Sequence, residues 1–355
     1  MKEWEISEKN IITPKYLTPV GFSTLCYIRE CPLHFAFSRD KSYPQKVNPK
    51  ARMAVAFHET LAFFSKERPS SLSEVIAFLH FAMSKQRDEA LRNYRERRLS
   101  WPRAVREAME NALAARFHTS TQIHRSNIRH DTETTLVSRD NLVTGRPDEV
   151  LITENGCIIV DYKTAHSTEE TVDSSEDQVH FYAGLWQEIQ RETPVSGRIE
   201  FLLDNRQHSF LIDGQRAKSL VSEARSYAQT LQKSTNWLFQ SRVGAHCRLC
   251  GYRPWCTGYW RSLNSESVVQ SQDVDGLVCA THPSDSSVVC IVRDALHIMI
   301  VNRSVEPLSP WTPGTRIRAL DLEGTGTTRF RALYSELFCV SSRRKFIKFQ
   351  GHHTN

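Results

Sequence analysis

Residues 142–166, LVTGRPDEVLITENGCIIVDYKTAH, place two apolar runs on either side of a turn signal and end the second run in a charged cluster. The β-branched residues favour strands and Asn155-Gly156 marks a tight turn, so the stretch predicts an antiparallel hairpin. Strand side chains alternate in direction, which puts Asp161 and Lys163 on one face and Tyr162 on the other. With the turn centred at Asn155-Gly156, position 148 falls opposite 162–163, and Asp148 converges on the same end of the sheet. The run CIIV implies a buried strand that emerges at this cluster. A solvated surface hairpin would show the same alternation, so the flanking sequence has to discriminate.

Upstream the period is helical. Residues 20–38 read as a helix with Ser23 as N-cap, 51–66 as a second helix, and 72–119 as helical with a break at Trp101-Pro102, where Pro suits a helix start. Residues 131–139, 141–153 and 157–163 predict three strands. A helix over 177–190, paired strands at 198–203 and 207–212, and a long helix over 213–237 follow. This order predicts an α/β class, a mixed sheet flanked by helices, with a helical insertion over about 68–130. Beyond 265 a linker, SESVVQSQDVDG, leads into β-like runs at 277–281, 287–293, 296–302, 315–321 and 328–340. They predict a small all-β C-terminal module, a five-stranded barrel of the oligonucleotide-binding (OB) type. The expected domains are therefore 1–264 and 265–355, in line with a length of 355 residues. Gly324-Thr325-Gly326 reads as a turn rather than a phosphate loop.

No apolar run reaches the roughly 18–20 residues of a membrane helix, and MKEWEISEKN lacks the apolar region of a secretory signal. The expectation is a cytoplasmic protein with no membrane partner, in which clustered cysteines bind metal more often than they form disulfides. Of the nine cysteines, Cys247-x-x-Cys250 and Cys256 bring three thiolates within reach of one ion. Spacing alone leaves the fourth ligand open among Cys31, Cys26 and His246, and leaves open iron–sulfur or zinc. Cys26, Cys157, Cys279, Cys290 and Cys339 fall in apolar surroundings and read as core. From Lys85 to Arg129 eleven Lys and Arg face five Asp and Glu, an excess equal to the net +6 of the whole chain. That segment, notably Arg95, Arg97, Arg98 and Arg103, suits a phosphate-lined partner or a solvated helical face. The C-terminal SRRKFIKFQ interleaves basic and aromatic residues as single-strand binders do, or as a core-facing final strand would.

Phosphodiester hydrolysis requires charge neutralisation and a hydroxide source near neutral pH, which one or two Mg²⁺ ions provide. Asp148, Asp161 and the Tyr162 carbonyl make a suitable oxygen ligand set, and Lys163 is placed to hold the attacking water.

GRPDEV followed by IIVDYKT resembles the second and third motifs of the RecB-like branch of PD-(D/E)XK nucleases, which includes AddB-type and CRISPR-associated exonucleases. QVHFYA carries the branch's Gln-x-x-x-Tyr pattern at Gln178 and Tyr182, one helix face apart. AVAFHETLAFF supplies His58, which resembles an additional metal ligand, and the Glu133 strand resembles the branch's leading acidic strand. FSTLCYIRECPLHF resembles the N-terminal segment of its iron–sulfur members, which implies a 4Fe–4S cluster on Cys31, Cys247, Cys250 and Cys256. The resemblance covers roughly residues 20–260. It implies a restriction-endonuclease-like core and a Mg²⁺- or Mn²⁺-dependent DNA nuclease. It further implies an exonuclease on single-stranded ends, serving DNA processing, repair, defence or CRISPR adaptation. With no GxxxxGK[ST] in the chain, unwinding would fall to a helicase partner. The rival expectation is a DNA-binding subunit whose nuclease site is dormant.

Overall fold

Cys31-Pro32 interrupts what the sequence presents as one N-terminal helix. In the computed structural model, α1 spans Phe22–Glu30 and α2 spans Pro32–Arg39. Proline lacks an N–H and cannot continue a helix, but it suits a first helical position. The N-cap of α1 is Gly21, so Ser23 lies inside the first turn instead of capping it. The structure describes residues 18–40, 43, 47–92, 101–123, 129–132, 134–263, 273–282, 287–291, 297–301, 313–314, 316–321, 323–324, 329–331 and 336–340.

Three longer helices follow: α3 (Pro49–Glu67), α4 (Leu72–Arg92) and α5 (Arg103–Ile123). The Asn48 side chain caps α3 by accepting from Lys50 N at 2.9 Å. Their apolar faces bury Met53, Phe57, Leu61, Leu79, Met109 and Leu113 together with Leu151, Val160 and Tyr162 of the sheet. The helical insertion thus covers one face of the strand that ends in the charged cluster.

The sheet is mixed, as expected, but its strands are cut differently. The two runs expected over 131–153 divide into β1 (Arg129–Thr132), β2 (Leu136–Val137), β3 (Thr144–Gly145) and β4 (Glu149–Thr153). β2 and β3 pair with each other in a separate two-stranded sheet, and Thr144 N of β3 donates to the Val20 carbonyl at 3.0 Å. β5 (Gly156–Lys163) is followed by α6 (Glu169–Gln190), β6 (Ser196–Phe201), β7 (Arg206–Leu211) and α7 (Gly214–Lys233). The five-stranded order is β1-β4-β5-β6-β7, antiparallel except for β5–β6. Parallel neighbours need a crossover, and α6 supplies it. α6 starts well before the expected residue 177, because Thr168 and Thr171 form a capping box.

The hairpin register also differs from expectation. Thr153 pairs with Gly156, so the loop is Glu154-Asn155, held by Asn155 N donating to Thr153 Oγ1 (3.2 Å). Gly156 then carries φ +116°, which a residue without Cβ tolerates. Glu149 faces Val160 in this register, which extrapolates to Asp148 opposite Asp161 rather than 162–163.

The chain divides into two compact units between Gln240 and Ser241, ahead of the expected boundary at 264/265. In the second unit, short 3-10 turns at Ala245–Leu249 and Arg253–Trp255 precede α8 (Thr257–Ser262). Among the described residues seven strands follow: β8 (Val274–His282), β9 (Ser287–Ile291), β10 (His297–Val301), β11 (Arg316–Leu320), β12 (Glu323–Gly324), β13 (Arg329–Arg331) and β14 (Glu336–Val340). They form one sheet in the order β12-β13-β10-β9-β8-β11-β14, with β10–β13 parallel, in place of five strands in a barrel. The run expected as one strand over 328–340 divides into β13 and β14, which add to different parts of this sheet.

The cysteine-rich turns pack on the same strands. Arg253 donates to Asp273 and to Asp321, both at 2.8 Å, Tyr259 donates its hydroxyl to Asp273, and Arg318 donates to the Pro254 carbonyl at 2.6 Å. Asp273 is fully buried, so its charge requires these partners.

Candidate active site

β5 delivers its charged end between α6 on one side and the α3–α5 layer on the other. Asp161 is buried, and its Oδ2 lies 2.8 Å from Lys163 Nζ on the same strand face. Lys163 Nζ also donates to Gln178 Oε1 at 2.8 Å, and Gln178 Nε2 donates to the Tyr182 hydroxyl at 2.8 Å. Asp161, Lys163, Gln178 and Tyr182 therefore form one continuous polar chain from strand to helix. The i, i+4 spacing on α6 makes its last link possible. Gly145 allows the helix to come this close: a Cβ there would stand 2.8 Å from a Tyr182 ring carbon and 2.9 Å from Leu185.

Asp148 approaches from the start of β4. Its Oδ2 accepts from Tyr162 N at 2.7 Å, and its Oδ1 stands 3.2 Å from His58 Nδ1 on α3. Burial, and beyond it the charges of Lys163 and Arg146, push His58 down to about 4. The imidazole is thus uncharged near neutral pH, the form that coordinates metals. Asp161 is pushed the other way: burial raises its pKa, and the Lys163 ammonium partly offsets this.

The fold brings together a helix-borne imidazole, Asp148 just before β4, Asp161 on β5 and a lysine two residues beyond it, and the sequence comparison decides the family. The model of the PD-(D/E)XK nuclease superfamily matches residues 20–257. The chain belongs to the PD-(D/E)XK nuclease superfamily. Membership implies a metal-dependent nuclease that acts on DNA, and superfamily members generally use Mg²⁺ or Mn²⁺. No curated protein matches the chain. Among solved structures it is similar to one named "Crystal structure of SSO0001", at 14% identity over 64% of this chain and 92% of that one, with a TM-score of 0.28.

The donor types fit the superfamily's ion: carboxylate oxygens from Asp148 and Asp161 with a neutral imidazole from His58. In this arrangement Lys163 and His58 stand against carboxylate oxygens. Among the described residues no three His, Cys, Asp or Glu side chains are gathered closely enough to share one ion. Coordination by all three would therefore require their side chains to move. Tyr162 directs its side chain to the opposite face, where it donates to Glu149 Oε2 at 2.8 Å. That leaves only its main chain on the side of Asp161 and Lys163.

The cysteines are placed as follows. Cys31 is buried at the junction of α1 and α2. Cys247 is buried in the first 3-10 turn, Cys250 closes that turn, and Cys256 caps α8 with its sulfur 3.4 Å from Tyr259 N. Cys157 is buried as expected, whereas Cys26 and Cys279, also expected in the core, are only partly buried. Burial pushes the Cys26 thiol up to about 11 and that of Cys157 to about 12. Arg103 is exposed on α5 and pairs with Glu107 at 2.6 Å. Glu133, Arg95, Arg97, Arg98 and the SRRKFIKFQ segment lie outside the described residues.

Two residues of the site escape a reading of the sequence. Arg146 lies close enough to His58 for its charge to act there. Glu149 is almost wholly buried beside Asp148 and pairs with Arg116. A signal for Glu149 was present: an acid immediately before the run VLI needs a buried cation as partner.

Proposed function

We propose that this member of the superfamily is a Mg²⁺- or Mn²⁺-dependent deoxyribonuclease of the RecB-like branch, acting as an exonuclease on single-stranded DNA ends. The observation that carries the reading is the Asp161–Lys163–Gln178–Tyr182 chain, with Lys163 Nζ 2.8 Å from both Asp161 and Gln178. His58, Asp148, Asp161 and the Tyr162 carbonyl would hold the ion. When bound, it supplies charge neutralisation and lowers the pKa of a coordinated water. Lys163 positions the attacking water and offsets charge on the phosphoryl oxygens, while Gln178 and Tyr182 fix its ammonium in place. A strand-end lysine left without such partners would sample many rotamers, and its catalytic contribution would fall with the time spent elsewhere.

In the same reading Cys31, Cys247, Cys250 and Cys256 hold a 4Fe–4S cluster. Its support is the Cys-x-x-Cys pair, the Cys-Pro junction and the resemblance to iron–sulfur members of the branch. Purified protein should then absorb broadly near about 400 nm, and Cys31→Ser should remove that band. A colourless protein with stoichiometric zinc would replace this assignment with a Cys₄ zinc site. The module beyond residue 264 would contribute nucleic-acid contacts, and a helicase or another repair or defence protein would act as partner.

The deciding experiment is cleavage of end-labelled single- and double-stranded DNA with Mg²⁺ or Mn²⁺, by wild type and Asp161→Ala. The expected result is ion-dependent shortening of the single strand from an end by wild type and none by the variant. Equal inactivity with DNA binding retained would make the protein a binding subunit with a dormant site.

A further inference from the structure

Behind the catalytic face, α5 sends a cation into the sheet. Arg116 donates through Nη1 to the Tyr162 hydroxyl and through Nη2 to Glu149 Oε1, and its guanidinium lies 5.4 Å from the Tyr162 ring centre. Tyr162 in turn donates to Glu149 Oε2 at 2.8 Å. Glu149 is 1% exposed and Tyr162 5%, so this triangle is shielded from water. Glu200, which pairs with Tyr162 across β5–β6, and Arg198 border it.

The chain positions of these residues give the cluster its significance. Glu149 directly follows Asp148, and Tyr162 sits between Asp161 and Lys163. Asp148 Oδ2 accepts from the backbone N–H of Tyr162, while Glu149 accepts from the phenol of the same residue. Asp148, just before β4, and Glu149, its first residue, therefore hold Tyr162 through its backbone and its side chain. Arg116 closes the grip on the side away from the proposed metal ligands. A small rotation of Tyr162 would swing Asp161 and Lys163 with it, because the three share one stretch of backbone.

We propose that Arg116 is a positioning residue. Through Glu149 and Tyr162 it sets the separation and orientation of Asp148 and Asp161, and so tunes ion binding and turnover without touching either the ion or the DNA. This rests on the reading of Asp148 and Asp161 as the nuclease centre. Partners that orient ligands from behind cost on the order of 10–100-fold in metal affinity or activity when removed. A residue on the far side of the sheet should leave DNA affinity nearly unchanged.

The test compares wild type with Arg116→Gln, Arg116→Lys, Tyr162→Phe and Asp161→Ala. It measures kcat and KM on labelled single-stranded DNA, and Mn²⁺ affinity from the magnetic-resonance signal of the unbound ion, all well below each variant's unfolding temperature. Arg116→Gln should lower kcat and weaken Mn²⁺ binding by about tenfold each, with KM for DNA within about twofold. Arg116→Lys, which keeps the cation, should recover part of both losses. Removing Arg116 leaves Glu149 buried and uncompensated, and the Gln variant can fail to fold. Tyr162→Phe then serves, since it deletes only the hydroxyl and should weaken Mn²⁺ binding by about threefold or more. Wild-type kcat and Mn²⁺ affinity in whichever of these variants folds would overturn the proposal. Wild-type activity in Asp161→Ala would instead overturn the nuclease-centre reading beneath it.

Discussion

At the scale of single residues, Lys163 is set by opposing demands. It neutralises a buried carboxylate on its own strand and donates to an amide on the facing helix. If its ammonium serves the reaction, Lys163→Met should lower kcat by about 100-fold or more while KM for DNA stays within about threefold, as steady-state cleavage rates will show. A comparable loss in KM would mean that the lysine only binds DNA. That Asp161 and Lys163 share one strand face was legible in the sequence because strand alternation is a local rule that a short run obeys. Arg116 was not. Its partner Glu149 lies 33 positions away on another element, and an arginine in a polar helix carries no mark of the face it turns to. The hairpin register was missed for a similar reason. Asn155-Gly156 is the commoner turn signal, but the Thr153 hydroxyl, accepting from Asn155 N, favours the loop one residue earlier.

Among the elements, α6 joins most of the core. It bridges the two parallel strands, carries Gln178 and Tyr182, and packs so tightly on α7 that a Cβ at Gly184 would stand 2.5 Å from the Ala217 carbonyl. Near its start Glu176 accepts from His208 of β7 (2.8 Å) and from Arg216 of α7 (3.1 Å). Partial burial acts to raise the Glu176 pKa, but these hydrogen bonds and charges outweigh it, and the carboxyl sits below its ordinary 4.5. A depressed carboxylate contributes stability that is complete above its unfolded value and is lost as pH falls through the folded one. Stability measured by denaturant unfolding should therefore decline below pH 4.5, and Glu176→Gln should make that decline shallower. An unchanged slope would assign the acid sensitivity elsewhere. The helix itself was legible from its apolar period. Its true start was not, since a Thr–Thr capping box departs from the usual Ser/Thr…Glu pattern.

At the scale of the whole molecule, two units each bury their own core, and the cysteine-rich turns are bound to the second through Arg253 and Asp273. Asp273→Ala should destabilise that unit by about 2–3 kcal/mol, because it removes the buried partner of Arg253 and of the Tyr259 hydroxyl and leaves Arg253 only the more exposed Asp321. Calorimetry should show the loss in the transition of the second unit, with that of the first unit unmoved. Several properties were decided by the sequence alone. The α/β class, the β4–β5 hairpin, the strand-end Asp-x-Lys and the helix that carries Gln178 and Tyr182 all follow from periodicity and turn chemistry, which act over a few residues. Tertiary structure decided the rest: which strands pair, that seven rather than five of the described strands meet in the second sheet, that the cysteine-rich turns join it, and that Arg116 reaches Glu149 and Tyr162. These depend on contacts between residues far apart in the chain, whose free energy comes from burial and charge pairing in three dimensions. No local pattern encodes which distant partner a buried charge will find.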